Sequence, residues 1–211
     1  MRKQDHWKDG EVAGSYDRTR FAGLGGALKQ RRDESLVLRL LAGAGPRVLD
    51  LPCGTGRLGP ALRRRAGKRG SIVGVDLSRA MLDAGGGRAE AFSLRLEGSV
   101  FRLPFRGDAF DAAVVLRFLF HLDDTAERIQ ALAEIARVTA GPIICQVRYA
   151  ATVKHASRAL RSRVGLAPRF RPSRGRRQIE TEIEAAGLRV DALVPVSRVF
   201  SDKAIVRLVR R

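Results

Sequence analysis

The sequence has few cysteines and no long apolar run, and these two absences narrow the class of protein first. Its 211 residues include only Cys53 and Cys145, which stand far apart without metal-ligand spacing, so we expect no metal site. The longest apolar run, residues 112–116, is too short to cross a bilayer, and no apolar signal segment follows the charged first five residues. The length and composition therefore predict a cytoplasmic protein built as a single domain over residues 1–211.

Acidic residues are also scarce, with 22 acids against 40 basic residues and a net charge of +18. The imbalance is greatest over residues 151–179, a segment with no acid and nine basic residues. Such a segment is typical of an exposed insertion that attracts phosphate, carboxylate or anionic lipid. The alternative is a solvated loop made basic by codon usage alone. We predict a basic, lid-like insertion here, with possible peripheral contact to an anionic membrane.

The most informative stretch is a short apolar run that ends in an acid and breaks into glycines. Residues 48–51 read as a buried strand, Gly54 and Gly56 as a tight turn, and residues 58–66 as a helix. Glycines let the backbone pass close to a ligand, and the free N–H groups of the helix start attract an anionic group. A second apolar run ends in Asp76, whose carboxylate can accept hydrogen bonds from both ribose hydroxyls. Together these elements predict a nucleotide-binding βαβ unit.

Two kinds of nucleotide fit this unit. Residues 54–59 match the G-x-G-x-x-G pattern of dinucleotide-binding enzymes, so an NAD site is one reading. Asp50 favours the other, because an acid at the end of the first strand suits the ammonium group of a methionine moiety, whereas an NAD site is ordinarily apolar there.

Residues 50–56 resemble the first motif of the class I methyltransferases that depend on S-adenosylmethionine (SAM), acid-x-G-x-G-x-G. Pro52 replaces the first glycine, which removes one backbone donor while the turn can be kept. The resemblance implies SAM as cofactor and a doubly wound α/β fold, with a mostly parallel seven-stranded sheet and an antiparallel C-terminal strand. It is closest to the small-molecule branch of the quinone-biosynthesis type.

The same resemblance assigns the other cofactor contacts. Tyr16, in an N-terminal lid or helical part (residues 1–42), would reach the SAM carboxylate or simply pack. Leu77 and Met81 would flank the adenine, and Ser99 stands where the family carries an acid that binds the adenine amino group. The predicted cofactor contacts are Tyr16, Asp50, Pro52, Gly54, Gly56, Asp76, Leu77, Met81, Ser99, Val100 and Leu116.

The acceptor side is predicted just past the fourth strand, where ligands lie in open α/β sheets. Arg117 and His121 are the candidate catalytic residues; His121 would act as a general base or hold the loop. The expected reaction is in-line methyl transfer to a small-molecule or lipid acceptor that carries negative charge. Nucleic acid is a less favoured partner, because the amino-methylating motif N/D-P-P-Y/F is absent and Phe170 is the only aromatic in the basic segment. An RNA methyltransferase and a non-catalytic SAM-binding regulator remain the alternatives.

The remaining pattern predicts helices and a closing hairpin. Asp33 or Ser35 would cap a helix that runs to Ala42, and Asp123 or Asp124 would cap a long amphipathic helix. A helix over residues 178–186 ends at Gly187 and precedes two strands, 189–196 and 204–209. Because so short a turn joins these strands, they must be antiparallel.

Overall fold

The computed structural model describes residues 23–148, 161, 175–197, 201 and 203–211. The helices are α1 (Gly23–Leu40), α2 (Gly59–Ala66), α3 (Arg79–Asp83), α4 (Thr125–Val138) and α5 (Arg176–Ala185), with 3-10 helices at Gly86–Ala91 and Leu119–His121. The strands are β1 (Arg47–Asp50), β2 (Ser71–Asp76), β3 (Leu94–Glu97), β4 (Ala112–Val115), β5 (Ile143–Arg148), β6 (Leu188–Pro195) and β7 (Lys203–Arg210). Tyr16 and nearly all of the basic segment before Gly175 lie outside the described residues.

The strands form one seven-stranded sheet in the order β3-β2-β1-β4-β5-β7-β6. The first five strands in sequence are parallel to one another, whereas β7 is antiparallel to both β5 and β6. The chain order reverses at β1, where β2 pairs on one side and β4 on the other. The predicted α/β class and sheet are confirmed, and the reversal beside β1 creates the crevice in which such sheets bind ligands.

Helices cover the sheet on both faces, which explains the continuous apolar runs of the central strands. Val48 belongs to the core cluster on the face of α1 and α2, and its neighbour Leu49 to the cluster on the face of α4 and α5. On the face covered by α4 and α5, a buried ion pair joins the two helices. Arg128 Nη2 of α4 lies 2.7 Å from Glu182 Oε1 of α5. The helices packed on the two faces hold the carboxyl ends of β1, β2 and β4 in fixed positions.

Two predicted helix ends are confirmed. Asp124 caps α4 by accepting from Ala126 N, and Gly187 has the positive φ (76°) expected after α5. Ser78 also caps α3, by accepting from Met81 N. The prediction that Asp33 or Ser35 caps a helix was wrong, because both residues lie in the interior of α1. Asp33 is buried there, and its carboxylate pairs with Arg117.

Phe92 lies just before β3 and fills the space between α2 and the sheet. A Cβ added to Gly56, Gly59 or Gly74 would lie 2.9, 2.4 or 3.0 Å, respectively, from the Phe92 ring. In the part of the chain that the structure describes, no helix is both long and apolar enough to span a membrane.

Candidate functional site

A cavity of about 400 Å³ opens at the carboxyl ends of β1, β2 and β4. This volume lies within the range of pockets that hold small ligands. Most of the predicted site residues line it, together with residues of α1 and of the loop after β4. The predicted residues at the cavity are Asp50, Pro52, Gly54, Asp76, Leu77, Met81, Ser99, Val100, Leu116, Arg117 and His121.

The Asp76 carboxylate organises the floor of the cavity. Its Oδ2 accepts from Gly54 N at 2.7 Å, and its Oδ1 accepts from Ser78 N at 2.9 Å. One side chain therefore joins the glycine turn after β1 to the start of α3. Burial raises the pKa of Asp76, while the bonds from Ser78 and Gly54 act in the opposite direction.

Asp50 lies at the end of β1 with only 2% of its surface exposed. Its Oδ2 is buried and has no hydrogen-bond partner among the described residues. Burial, reinforced by the negative charge of Asp76, raises the pKa of Asp50 to about 8, although Arg95 lowers it in part. A buried carboxylate with an unused oxygen is a strong acceptor for a cationic ligand, because ion pairing offsets its desolvation.

Arg95 is a site residue that the sequence analysis missed. Its Nη2 donates to Gly54 O at 2.7 Å and its Nη1 to Leu82 O at 2.8 Å, so it supports the glycine turn from β3. The guanidinium also lies over the Phe92 ring, 5.4 Å from the centroid. A lone arginine within a predicted strand belongs to no motif. Arg95 and Gly54 are 41 residues apart in the sequence, so only the folded structure reveals their contact.

Leu77, Met81, Ser99 and Val100 lie at one end of the cavity. Leu77 is 40% exposed, and Met81 is buried with its Cε 3.3 Å from the position that a Cβ on Gly54 would take. The Ser99 hydroxyl accepts from Phe101 N at 3.3 Å. These side chains make an apolar slot with one hydroxyl, which suits a flat ring.

Arg117 and His121 lie at the other end, as predicted, but Arg117 is already engaged. Its Nη2 donates to Asp33 Oδ2 at 2.9 Å, which ties the loop after β4 to α1. His121 N donates to Phe118 O at 2.7 Å, and its imidazole lies 4.8 Å from the Phe120 ring centroid. His121 lines the cavity, and its backbone N–H closes the turn after Phe118.

Comparison with known proteins finds a family that this site resembles. Residues 48–141 match the family model described as a methyltransferase domain. That segment contains the glycine turn, Asp50 and Asp76, so the motif and the match coincide. The matched residues are therefore similar to a methyltransferase domain.

Curated relatives that are similar to this chain are also methyltransferases. The chain is 34% identical over 107 residues to the demethylmenaquinone methyltransferase of Bacillus cereus, covering 48% of this chain and 44% of the relative. It is 35% identical over 98 residues to the 2-phytyl-1,4-naphtoquinone methyltransferase of Synechococcus elongatus, covering 44% and 42%. The matched part of the chain thus spans less than half the length of these relatives.

A solved structure shows that the fold extends further than the sequence match. The magnesium protoporphyrin IX methyltransferase of Synechocystis PCC 6803, determined with bound S-adenosylhomocysteine, superposes with a TM-score of 0.76 at 19% identity. The superposition covers 99% of this chain and 98% of that one. At this identity the likeness establishes the shared fold.

The residues that line the cavity fit SAM. The unpartnered Oδ2 of Asp50 suits an ammonium group, and the slot at Leu77 and Met81 suits an adenine. Gly54 adopts a positive φ (53°), a conformation that a side chain would disfavour at the point where the backbone borders the cavity. Pro52 keeps the turn, as predicted, with a cis peptide bond from Leu51.

Two further residues of the glycine turn differ in their relation to the cavity. Gly56 is not among the residues that line it, and its role as a cofactor contact stays a prediction; its φ is 77°, and a Cβ added to it would lie 2.9 Å from the Phe92 ring. Cys53 does line the cavity, but burial and the neighbouring acids raise its pKa to about 12. Its thiol therefore stays protonated at neutral pH and is a poor nucleophile.

Proposed function

We propose that this protein transfers a methyl group from SAM to a small-molecule or lipid acceptor that carries negative charge. The observation that carries the proposal is the buried, unpartnered Asp50 carboxylate beside a glycine turn that Asp76 holds in place. Both acids lie in one cavity at the switch point of the sheet. The relatives named above as quinone methyltransferases support a small-molecule acceptor.

In this proposal each end of the cavity has a separate task. Asp50 pairs with the ammonium of SAM, Asp76 binds its ribose, and Leu77, Met81 and Ser99 surround its adenine. SAM supplies an activated methyl group on a sulfonium. The chain then has to align the acceptor in line with that methyl, and such alignment accounts for much of the rate in reactions of this kind.

His121 is the proposed acceptor-side residue, since its ring faces the cavity beyond Leu116. A general base is needed only for an acceptor that keeps its proton at neutral pH. His121→Asn retains the shape of the side chain without its basicity. For such an acceptor we expect kcat to fall by about 10²-fold or more with little change in SAM affinity.

The negative charge of the acceptor is proposed from the basic residues that follow β5 in the sequence. The acid-free segment over residues 151–179 follows β5 directly, and β5 ends at the edge of the sheet that holds the cavity. Arginine recognises carboxylate and phosphate with paired hydrogen bonds. An acidic metabolite or a lipid intermediate therefore fits this edge better than a neutral acceptor.

The competing function is a SAM-binding protein that does not catalyse transfer. Pro52 and Ser99 support it, because both depart from the family pattern at cofactor contacts. Both functions require SAM binding, but only the methyltransferase transfers the methyl group. Measuring SAM binding and methyl transfer therefore separates them.

Calorimetry with SAM and with NAD tests the cofactor first. We expect binding of SAM only, and loss of that binding in Asp76→Asn, which keeps the size of the side chain. Incubation with methyl-labelled SAM and an extract fractionated into metabolites, lipids and RNA then tests transfer. Label in the metabolite or lipid fraction is expected; binding of NAD in place of SAM would refute the proposal, and binding without any labelled fraction would favour the regulator.

A further inference from the structure

A second buried carboxylate borders the cavity at its acceptor end. Asp33, on α1, lines the cavity, and only 2% of its surface is exposed. Its Oδ2 accepts from Arg117 Nη2 at 2.9 Å, whereas its Oδ1 is buried without a hydrogen-bond partner among the residues that the structure describes. A buried carboxylate oxygen without a partner is costly, because folding removes its water and supplies no replacement. Oδ1 therefore has an unused capacity to accept a hydrogen bond from a ligand in the cavity.

The contact with Arg117 determines which oxygen of Asp33 is available. Arg117 lies two residues after β4 with a positive φ (59°), a left-handed conformation that residues other than glycine rarely adopt. Such a conformation persists where the surrounding contacts hold it, and it is typical of functional sites. A guanidinium has donors and no acceptor, so Arg117 can only bind the carboxylate as it does, through Oδ2. The second oxygen is left for a donor from another molecule.

The charges around Asp33 decide which kind of donor fits Oδ1. Glu34, the next residue of α1, also lines the cavity, and its Oε1 accepts from Gln30 Nε2 at 2.7 Å. Two acids on one side of the cavity repel an anion at this point. Arg117 already offsets the charge of Asp33, so a cationic group gains less here than at Asp50. A neutral O–H or N–H group is the donor that fits best.

Apolar side chains border the cavity beside this pair. Phe118 and Leu122 lie on the loop after β4 and both line the cavity. Phe118 is partly buried against the core, and Leu122 is 3% exposed. Side chains of this kind bury an apolar or aromatic body, while a few polar groups fix its orientation.

We propose that Asp33 Oδ1 accepts a hydrogen bond from a neutral hydroxyl or amino group of the methyl acceptor, whose apolar body lies against Phe118 and Leu122. Asp33 is then a residue that determines acceptor specificity, and Arg117 is a positioning residue that acts through it. The site rests on the proposed methyltransferase function and adds to it the group by which the acceptor is recognised. The anionic group of that acceptor is a separate part of the molecule, away from the two acids of α1.

The test uses the full chain saturated with S-adenosylhomocysteine and follows backbone amide NMR signals during titration with phenol, aniline and anisole. Anisole has the size of the other two probes but no donor. We expect saturable shifts at residues 117–122, with phenol or aniline bound about tenfold more tightly than anisole. The tighter of the two assigns the donor as O–H or N–H.

Asp33→Asn should reverse this preference. Arg117 Nη2 can bond only to the amide oxygen, which turns the amide NH2 toward the position of Oδ1 and replaces an acceptor with a donor. The ratio of anisole to phenol affinity should therefore rise about tenfold. A merely structural role of Asp33 would change both affinities alike and leave the ratio unaltered.

The matched control is Asp111→Asn. Asp111 also pairs with an arginine, because its Oδ1 accepts from Arg47 Nε at 2.9 Å. This pair lies at the amino ends of β1 and β4, whereas the cavity opens at their carboxyl ends. The control should keep the phenol preference of the unmodified protein.

Two results would overturn the proposal. Equal affinity of the unmodified protein for all three probes would do so without any variant, so the test does not depend on the folding of Asp33→Asn. The other is a loss of S-adenosylhomocysteine affinity in Asp33→Asn with an unchanged probe ratio, which would assign Asp33 to the cofactor.

Calorimetry with SAM separates this site from the proposed function. Normal SAM affinity with no preference among the probes refutes this site only. If SAM and S-adenosylhomocysteine do not bind, the proposed function fails, and the probe titration without S-adenosylhomocysteine still decides whether Asp33 selects a donor.

Discussion

Asp33 and Arg117 form an ion pair of 2.9 Å between α1 and the loop after β4, with side-chain exposures of 2% and 18%. The pair borders the acceptor end of the cavity, since both residues line it. Arg117 therefore holds α1 against the cavity, and the catalytic contact with substrate that the sequence suggested stays a prediction.

Arg117→Met is expected to destabilise the protein by about 3 kcal/mol, because it leaves the buried Asp33 carboxylate without its counter-ion. Urea unfolding measures the change. Arg79→Met is the matched control: Arg79 pairs with Asp83 on the surface, with exposures of 73% and 62%, and its loss should cost less than about 1 kcal/mol. Similar losses in the two variants would contradict the buried pair.

SAM binding should depend on pH through Asp50. The raised pKa of about 8 means that Asp50 holds a proton at neutral pH in the empty cavity, and an ammonium ligand must displace it. Affinity should therefore rise as pH increases from 6 to about 8, approaching tenfold per pH unit well below the pKa, and then level off. Calorimetry in buffers of different ionisation enthalpy should show a proton released on binding at pH 7. Asp50→Asn should bind SAM weakly with a flat profile over this range; a flat profile in the unmodified protein would contradict the role of Asp50.

Arg95→Met should affect both stability and that pH profile. It removes the charged donors from Gly54 O and Leu82 O, at a cost of about 2 kcal/mol in urea unfolding. Because the charge of Arg95 lowers the pKa of Asp50, its removal should also shift the midpoint of SAM affinity to higher pH. Arg88→Met, which loses a 3.4 Å contact with Thr55 Oγ1, should leave the midpoint in place. A midpoint that moves equally in both variants would argue against a specific effect of Arg95.

Ser99→Asp restores the acid that the family carries at this position, at the proposed adenine end of the cavity. An aspartate can still accept from Phe101 N, as the hydroxyl does, and adds a charged acceptor for an amino group. We expect SAM to bind about fivefold more tightly, the difference between a neutral and a charge-assisted hydrogen bond of about 1 kcal/mol. Ser99→Ala should weaken binding slightly. Unchanged affinity in Ser99→Asp would place the adenine amino group elsewhere.

Much of the fold and the cofactor end of the site could be predicted because their signals are local. The apolar run before Asp50, the glycines after it and the acid at the end of β2 all lie within 30 residues, so spacing along the chain sets their geometry. The closing hairpin is similar, since one short turn forces its strands to be antiparallel. Gly56 shows the limit of this reasoning, because a motif position does not say whether a glycine faces a ligand or a packed ring.

The sequence by itself determined the strand–glycine turn–helix unit, its two acids and the closing hairpin, since backbone propensity and hydrophobic period act between near neighbours. Only the tertiary structure decided what each charge meets. Asp33 pairs with Arg117, which is 84 residues away in the sequence, and Gly54 binds Arg95, which is 41 residues away. Arg148 lies opposite Lys203 because β5 pairs with β7. A charged side chain takes its role from the solvent exposure and the partners that the packed fold provides, and neither is encoded in its immediate neighbours.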